Sequence, residues 1–460
     1  MSNIGTPARE GPRSPRDLLL WALIVAALVR AAYAIGAWLV TRDPSVFLEQ
    51  DTASYVTPAR ELLARGTFTV DGRPELERTP GYPLLLTIGL SMGALMPVTI
   101  ALQVLLAALT TLGVVVIANL VAADRRAGVA AGLVYAFEPI SIKQTAALGT
   151  ETLFTALVVW GLVLVIGYVR GRTPAWVLAG MGLLSAAAYV RPAGYYLPLG
   201  LALFLAVWAA GRRDWQRLAH VGLAVMLAIA IVLPWHVRNR ALGFRGFSAI
   251  TAVNMYFYNA AAVQARREGT SYTDVQTALG YHDSRIYERR HPEQTGWSPG
   301  QRFTYMGVEG SRIVRENLSL YARIHAEGMM RVLLDPGALS LLQPYGLYAG
   351  NSGVLGVIVT RGLGSGLQQI MRTNSLGFAM LVALGALLVV TYVLALRGFF
   401  ARGRVLDPAT VVLVLTIAYF VTIAGGPVAV GRFRHPAMPF VSVLAGMGLV
   451  AYASRRQRLA

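Results

Sequence analysis

The sequence predicts an all-α polytopic membrane protein with about ten transmembrane helices, within a range of about nine to twelve. Of its 460 residues, 55% are hydrophobic and only 14% are charged, whereas a soluble domain is roughly 45 to 50% apolar. Windows such as LLLWALIVAALVRAAYAIGAWLV and SLGFAMLVALGALLVVTYVLAL reach the roughly 20 apolar residues that cross a hydrocarbon core. Arginine content also alternates between the short connections, as expected for a multi-pass chain.

The predicted spans can be placed in chain order from these apolar windows. They cover residues 18–40, 95–122, 128–142, 152–169, 175–190, 193–211, 220–235, 374–396, 408–425 and 437–453. One side of the spans then carries Arg9, Arg13, Arg16, Arg125, Arg126, Arg170, Arg172, Arg212, Arg213, Arg217, Arg397, Arg402, Arg404, Arg455, Arg456 and Arg458. By the positive-inside rule this side is cytoplasmic. We therefore expect both termini in the cytoplasm. Because the chain uses arginine in place of lysine, with Lys143 its only lysine, we also expect a bacterial protein of the inner membrane.

The polar segments between the spans suggest the domain organisation. We expect a cytoplasmic tail at residues 1–17, an N-terminal transmembrane module at 18–235, an extracytoplasmic region at 236–373, and C-terminal helices with a second tail at 374–460. Within the N-terminal module, residues 41–94 form a long first outer loop with juxtamembrane helices. The extracytoplasmic region is expected to be small and mainly helical. One helix in it is predicted to begin at Ser298 and Pro299 and to close at Pro336 and Gly337.

Composition excludes several classes of function. The formal net charge is +18, but arginines in a polytopic protein also set topology, so we expect no nucleic-acid partner. The chain has no cysteine, which excludes disulfides, thiolate metal sites and cysteine nucleophiles. His236 and His435 have no ligand partners at zinc spacing, and no Walker loop is present.

Asp51 stands out in the stretch FLEQDTASYVTPARELLARGTF. It follows the first span by about ten residues, where a carboxylate is costly unless it is hydrated, paired or bound to a ligand. Asp51 is therefore a candidate catalytic residue. The alternative is a structural role as the N-cap of the helix that follows, which contains Tyr55.

Two further acids, Glu138 and Glu151, flank PISIKQTAALGT on the same outer side, with Lys143 between them. If the first four spans form a bundle, Glu151 in GTETLF should lie close to Asp51. One acid could then act as a general base while the other positions a donor or a divalent cation. Alternatively, Glu151 favours a helix N-terminus and Glu138 pairs with Lys143.

Three arginines lie where the topology does not explain them. Arg191 in AAYVRPAGYYLP interrupts apolar sequence, and Arg432 and Arg434 in VGRFRHPAMPF are on the outer side. Arginine binds phosphate through a planar, permanently charged fork, so these residues are candidates for a donor phosphate site. Snorkelling to ordinary lipid headgroups is the alternative.

An aromatic run, NMYFYN, begins the candidate sugar-binding surface of the extracytoplasmic region. Asn254 and Tyr256 could contact a sugar by hydrogen bonding and stacking. The alternative, and the default for such a run in a membrane protein, is an interfacial aromatic belt.

Seven segments, in this order along the chain, together resemble the GT-C superfamily of polytopic glycosyltransferases. They read QDTASYVTPARELLARGTF, RTPGYPLLL, GTETLF, YVRPAGYYL, LPWHVRNRALGFRGFSAITAVNMYFYN, RENLSLYARIHAEGMMRVLLDP and GRFRHPAMPFVSVLAG. The match is to the glycosyltransferase family 39 branch, with its protein O-mannosyltransferases and lipid A aminoarabinose transferases.

The resemblance implies roles for individual residues. The family's first-loop catalytic acid falls on Asp51, and its second acid falls on Glu151 or, less well, on Glu138. The RTPGYP segment resembles the loop that shapes the donor site, which adds Arg78 and Tyr82. The late arginine motif implies that Arg432, with Arg434, holds the donor phosphate. Substrate-binding roles are expected for Glu138, Lys143, Tyr55, Tyr82, Asn254 and Tyr256.

The implied function is the transfer of one sugar, with inversion, from a polyprenyl-phosphate donor to a lipid, glycan or protein acceptor on the extracytoplasmic face. The sequence reads Gln50-Asp51 where many first-loop motifs have two consecutive acids. No cofactor is therefore assigned, and Mg²⁺ or Mn²⁺ held by Asp51 and Glu151 is left open. The alternative function is a transporter or flippase for a lipid-linked anion, although no inverted repeat supports it.

Overall fold

The computed structural model describes residues 15–347, 374–401 and 407–457, together with Gly364, Gln368, Met371 and Arg372. Most of the predicted tail at 1–17 and the end of the predicted region 236–373 lie outside these residues. So do Arg9, Arg13, Arg402, Arg404 and Arg458 from the predicted cytoplasmic set.

Helices dominate the described chain. Those of the N-terminal part are α1 Pro15–Thr41, α2 Thr52–Arg65, α3 Gly81–Ser91, α4 Leu95–Ala122, α5 Arg125–Ala136, α6 Pro139–Ala146, α7 Glu151–Val169, α8 Pro174–Ala188, α9 Leu197–Gly211 and α10 Trp215–Ala241. Those that follow are α11 Ile250–Val253, α12 Ala261–Glu268, α13 Tyr272–Leu279, α14 Ser284–Arg290, α15 Pro299–Glu316, α16 Leu318–Leu334, α17 Ala338–Leu342, α18 Ser375–Phe400, α19 Pro408–Ile423 and α20 Met438–Gln457. A π-helix spans Asn254–Ala260, and short 3₁₀ turns include Pro44–Phe47, Pro192–Gly194 and Gly431–Ala437.

The predicted all-α polytopic membrane fold is confirmed. Seven helical segments of the described chain are long and apolar enough to cross a membrane. The predicted spans at 175–190 and 408–425 correspond to shorter apolar helices, α8 and α19. The only strands in the described chain are the two-residue pair β1 Thr69–Val70 and β2 Arg73–Pro74, which form a hairpin in the first outer loop.

The predicted single span at 128–142 is wrong, because the chain breaks there into α5 and α6. At the break, Glu138 caps α6 by accepting a hydrogen bond from the backbone N–H of Ser141 at 2.5 Å. Arg30 of α1 is fully buried and donates to the carbonyl oxygens of Tyr135 and Ala136 at 3.2 and 3.0 Å. These two carbonyl groups lie at the C-terminal end of α5, where no further turn of that helix supplies N–H donors. The buried guanidinium of Arg30 supplies hydrogen-bond donors to them instead.

Two other predicted boundaries also change. Helix α10 continues to Ala241, six residues past the predicted span 220–235, since Pro234 is accommodated inside it. The helix predicted to run from Ser298 to Gly337 is two helices, α15 and α16. Its start is confirmed by a capping box between Ser298 and Gln301, but Asn317 leaves helical geometry at φ −125° and ψ 38° and separates the two.

Glycines allow a close helix crossing between α18 and α20. A Cβ on Gly398 would collide with the carbonyl oxygen of Leu444, and a Cβ on Gly448 would collide with that of Leu394. The two backbones therefore approach as closely as small residues allow, which is how helices in a bilayer gain packing energy.

We predict that Gly398→Val destabilises the protein by about 3 kcal/mol or more, because backbone atoms cannot move aside for the new side chain. Thermal unfolding of the purified protein in detergent measures the effect. Gly385→Val on the same helix is the matched control, since a Cβ there meets nothing within 4 Å. Equal midpoints for the two variants would contradict this account of the crossing.

Candidate active site

A small pocket lies where the first outer loop meets the start of α7. Its lining residues are Glu49, Asp51, Thr52, Tyr55, Leu148, Gly149, Thr150, Glu151 and Arg432. The predicted meeting of Asp51 and Glu151 is therefore present in the structure. Arg432 joins them from the 3₁₀ turn Gly431–Ala437, which leads into α20.

Backbone contacts hold the two distant segments together. The N–H of Leu148 donates to the carbonyl oxygen of Phe47 at 2.9 Å. The hydroxyl of Thr52 donates to the carbonyl oxygen of Leu148 at 2.9 Å and accepts from the N–H of Glu49 at 2.8 Å. Because Thr52 is buried, this small network fixes the first outer loop against the loop that precedes α7.

Asp51 is the most accessible of the three carboxylates in the pocket. It occupies the N-cap position of α2, but its side chain makes no capping hydrogen bond, so the alternative role proposed from the sequence does not engage its oxygens. The side chain is 30% exposed, and its closest cation is Arg432, with Nη2 3.7 Å from Oδ2. Asp51 can therefore accept a proton from an incoming hydroxyl group.

Glu151 is more buried than Asp51 and is held by a closer ion pair. Its side chain is 6% exposed, and Oε1 lies 2.5 Å from Nη1 of Arg191. The same Nη1 atom donates to the hydroxyl of Thr150 at 3.1 Å. Because a buried, charge-paired carboxylate is poorly placed to take up a proton, we expect Glu151 to position Arg191 rather than to act as the base.

Glu49 is at the centre of the charge cluster, although it is not among the candidate residues predicted from the sequence. Its carboxylate pairs with Lys143 and, through the other oxygen, with Nη1 of Arg432 at 3.2 Å. Lys143 therefore pairs with Glu49, and the alternative pairing with Glu138 is not observed. Burial, and then repulsion from Arg432, lower the pKa of Lys143 to about 8. The feature of the sequence that could have identified Glu49 is its position two residues before Asp51.

Arg434 and Glu138 lie beneath the pocket in the protein interior. Arg434 is 2% exposed, and its Nη1 atom donates to the carbonyl oxygens of Val332, Leu333 and Asp335 at 2.7, 3.2 and 2.9 Å. Glu138 caps α6, and its second oxygen lies 4.0 Å from Arg434. These environments argue against the predicted phosphate-binding role of Arg434 and substrate-binding role of Glu138, because both side chains complete helix ends.

Arg78 differs from the other arginines of the site, since it forms no ion pair within the described residues. Its Nη1 atom donates to the hydroxyl of Tyr55 at 3.1 Å, and its guanidinium lies 4.7 Å from the centre of the Tyr55 ring. Its buried Nε atom has no hydrogen-bond partner. Arg78 therefore retains donor capacity for a ligand.

Two tyrosines pack next to Arg78: Tyr55 contacts its guanidinium, and Tyr82 packs against Tyr55. Their rings meet edge to face at 5.5 Å. Tyr82 is fully buried and donates to Oε1 of Gln103 at 3.1 Å. Burial raises the pKa of Tyr55, whereas the Arg78 charge opposes that rise. Tyr82, on α3, thus packs in the protein interior just after the loop that carries Arg78, and of the two tyrosines only Tyr55 lines the pocket.

The structure does not bring Asn254 and Tyr256 into the pocket. Tyr256 is 3% exposed, and its hydroxyl pairs with Nε2 of His291 at 3.1 Å inside the outer region. Tyr258 is better placed, on the same π-helix. Burial, the hydrogen bond with Tyr281 and, further down, the Asp51 charge raise the pKa of Tyr258. The sugar-binding role of NMYFYN stays a prediction, and Tyr258 rather than Tyr256 is the tyrosine of this π-helix that senses the Asp51 charge.

The charges of the site balance. Glu49, Asp51 and Glu151 supply three negative charges, and Lys143, Arg191 and Arg432 supply three positive charges through the ion pairs above. A phosphate would therefore add charge to a neutral cluster. Arg78 lies beside this cluster and forms no ion pair within the described residues. Arg78 and Arg432 together are therefore the best candidates to bind an anion.

The residues present give little support for a metal ion. Among the described residues, no group of three or more His, Asp or Glu side chains comes together to hold one. Glu49 and Glu151 already pair with cations. Mg²⁺ or Mn²⁺ therefore stays a prediction, and no chemical step is assigned to either ion.

Comparison of the whole chain with known proteins identifies a known fold. No protein-family model matches the sequence, and no curated protein matches it significantly. Among solved structures, the apo form of the Archaeoglobus fulgidus oligosaccharyltransferase aligns with 96% of this chain and 52% of its own, at 14% identity and a TM-score of 0.53. The chain has the fold of a GT-C glycosyltransferase.

Two further solved structures also align with the chain. The A. fulgidus enzyme in complex with Zn and sulfate aligns with 95% of this chain and 50% of its own, at 16% identity and a TM-score of 0.51. ArnT from Cupriavidus metallidurans aligns with 92% of this chain and 76% of its own, at 17% identity and a TM-score of 0.37. The chain spans about half the length of the archaeal enzyme, so the likeness concerns the GT-C fold alone.

Proposed function

We propose that the protein is a membrane glycosyltransferase that moves one sugar from a polyprenyl-phosphate donor to an acceptor hydroxyl on the extracytoplasmic face. The observation that carries the proposal is Asp51, an accessible carboxylate without a capping role, which lies 3.7 Å from the guanidinium of Arg432. A base beside a cation is the pairing that sugar transfer from a phosphate requires.

Asp51 acts as the general base in this proposal. An oxygen of the Asp51 carboxylate takes the proton of the acceptor hydroxyl while that hydroxyl oxygen attacks the anomeric carbon. The bond between the anomeric carbon and the phosphate oxygen breaks, and the phosphate leaves with the electron pair. Attack from the face opposite the phosphate inverts the anomeric centre.

Arg78 and Arg432 stabilise the departing phosphate. Both guanidinium groups lie beside residues of the Asp51 pocket, and Arg78 has a free buried Nε–H. Charge-assisted hydrogen bonds from arginine strengthen as charge builds on the leaving oxygen. Glu49, Glu151, Lys143 and Arg191 hold this arrangement in place through their ion pairs.

The size of the outer region supports transfer of a single sugar. The archaeal structure, which has twice the length of this chain, has been solved tethered to an acceptor peptide containing the NVT sequon. In the part of the present chain that the structure describes, helices α11 to α17 lie beyond the spans and could contact an acceptor. A lipid, glycan or protein acceptor is therefore proposed, with the transferred unit limited to one sugar.

One assay tests the proposal. Purified protein is incubated with a radiolabelled polyprenyl-phosphate sugar and a membrane extract as the acceptor source, with and without a chelator. Transfer of label to an acceptor supports the proposal, and sensitivity to the chelator would reveal the predicted cation. Movement of the intact lipid across a vesicle without transfer would support the transporter instead.

We predict that Arg78→Gln lowers kcat/KM for the donor by about tenfold to a hundredfold, because one charge-assisted contact to the phosphate is lost. Initial rates at varied donor concentration measure this effect. Arg65→Gln is the matched control, since Arg65 lies on the same outer loop but only pairs with Glu61 at the surface. An unchanged donor dependence for Arg78→Gln would remove it from the phosphate site.

A further inference from the structure

A second cavity lies at the C-terminal end of α10 and shares no lining residue with the Asp51 pocket. Its volume is about 750 Å³, within the range typical of small-molecule sites. The β1–β2 hairpin, the end of α10 and the start of α15 form its walls. Arg73, Ala241, Trp297, Gln301 and Arg302 are among the residues that line it.

The polar wall of this cavity has unused donors. Arg73 is exposed and makes no ion pair within the described chain. Arg302 pairs with Glu288 at 3.0 Å, but its buried Nε atom has no acceptor. The residues that line the cavity include these two arginines and no acid, so the lining itself carries a net positive charge. This combination favours an anion, and arginine suits phosphate in particular.

Local backbone geometry keeps these groups in place without supplying an anion site of its own. Gly243 has a φ of +83°, and a Cβ on Gly300 would lie 2.8 Å from the carbonyl carbon of Gly243. Helix α15 can therefore begin directly against the end of α10. The capping box already satisfies the N–H groups of Ser298 and Gln301, so the charge that attracts an anion comes from the arginine side chains.

An apolar ridge on α10 leads to the same cavity. Ile229, Leu233 and Val237 are 48%, 52% and 60% exposed, and their four-residue spacing puts them on one face of the helix. The next position on this face is Ala241, which lines the cavity. Only 17% of the spanning window of α10 is buried within the protein. A lipid chain lying along the ridge would thus end at the two arginines.

We propose that this cavity binds the phosphate headgroup of an anionic lipid whose hydrocarbon chain lies along the α10 ridge. The proposal goes beyond sugar transfer, because it depends on neither Asp51 nor the donor site. A bilayer phospholipid and a phosphate-bearing substrate lipid share the required chemistry. Trp297 beside the arginines provides an aromatic surface at the headgroup level, where tryptophan is favoured in membrane proteins.

Photocrosslinking tests the proposal. The full chain is reconstituted in phosphatidylcholine nanodiscs that contain a phosphatidylglycerol with a diazirine in its acyl chain, and crosslinked peptides are identified by mass spectrometry. We expect crosslinks in the part of α10 that carries Ile229, Leu233 and Val237. The double variant R73Q/R302Q should lower their yield by roughly tenfold or more, since each arginine near a lipid headgroup contributes about fivefold in affinity.

Matched variants keep the result interpretable. R285Q removes an exposed arginine of the outer region that does not line the cavity, and its crosslinking should equal that of the parent. R73Q alone, at an exposed residue without a partner, should lower the yield by about fivefold even where the double variant folds poorly. Undiminished crosslinking in R73Q and in the double variant would overturn the proposal, as would equal labelling by a diazirine phosphatidylcholine.

Competition distinguishes the two sources of the phosphate. Unlabelled polyprenyl phosphate that displaces the probe at lower concentration than phosphatidylglycerol would identify a substrate-type lipid. Displacement at the same or higher concentration would identify a bilayer phospholipid, and both results support a lipid phosphate site. Displacement by inorganic phosphate at the concentration that suffices for the lipids would overturn the role of the hydrocarbon chain.

Discussion

Asp51→Asn is expected to lower sugar transfer by about a hundredfold to ten-thousandfold, the usual contribution of a general base, while leaving the protein folded. The fold should persist because the Asp51 side chain makes no capping hydrogen bond, and asparagine is itself a favoured N-cap. Initial rates with a polyprenyl-phosphate sugar measure the loss. Thermal unfolding in detergent, together with size-exclusion behaviour, checks the fold.

Asp71→Asn is the matched control for this substitution. Asp71 lies on the same outer loop, in the exposed turn between β1 and β2, with a φ of 50° that asparagine also tolerates. Its variant should transfer sugar at the parent rate. If Asp51→Asn also kept nearly full turnover, the base would have to be sought elsewhere, and Glu49 would be the next carboxylate in the pocket.

Two neighbouring arginines should respond differently to the same substitution. Arg432→Gln is expected to lower kcat/KM for the donor by roughly a hundredfold, because its guanidinium faces the pocket and stabilises the phosphate. Arg434→Gln is expected to lower the free energy of unfolding by at least about 3 kcal/mol, since three buried carbonyl oxygens lose a charged donor. Donor kinetics and thermal unfolding, measured on both variants, check the pair.

Each variant is the control for the other. They lie two residues apart on one 3₁₀ turn and lose the same charge, so a difference between them reports the environment of each side chain. A folded Arg434→Gln protein with weakened donor use would restore the phosphate role predicted from the sequence. An Arg432→Gln protein with normal kinetics would remove the leaving-group role from that residue.

The likeness to a GT-C glycosyltransferase concerns the membrane fold, while the proposed chemistry depends on the charge cluster of this chain. Arg432 is shared between Glu49 and Asp51. Binding of a donor phosphate would draw on this guanidinium and leave Asp51 less compensated.

The sequence by itself determined the membrane class, the position of most helices and the candidacy of Asp51. Apolar windows report spans directly, because a bilayer requires about 20 apolar residues per crossing. The meeting of Asp51 with Glu151 could also be predicted, since Asp51 follows the first predicted span and Glu151 precedes the fourth, both on the same predicted side. A polar residue at a span end is informative in a way that the same residue in a soluble loop is not.

Only the tertiary structure decided what each of the remaining charges does. Arg432 and Arg434 stand in one short motif, yet one lines the pocket and the other satisfies helix-ending carbonyls. Glu49 pairs with Lys143, 94 residues away, which no local pattern encodes. Local sequence specifies where a helix starts and which stretches are apolar. The partner of a buried charge depends on which distant segment the fold brings within about 4 Å, and that is a property of the packed chain.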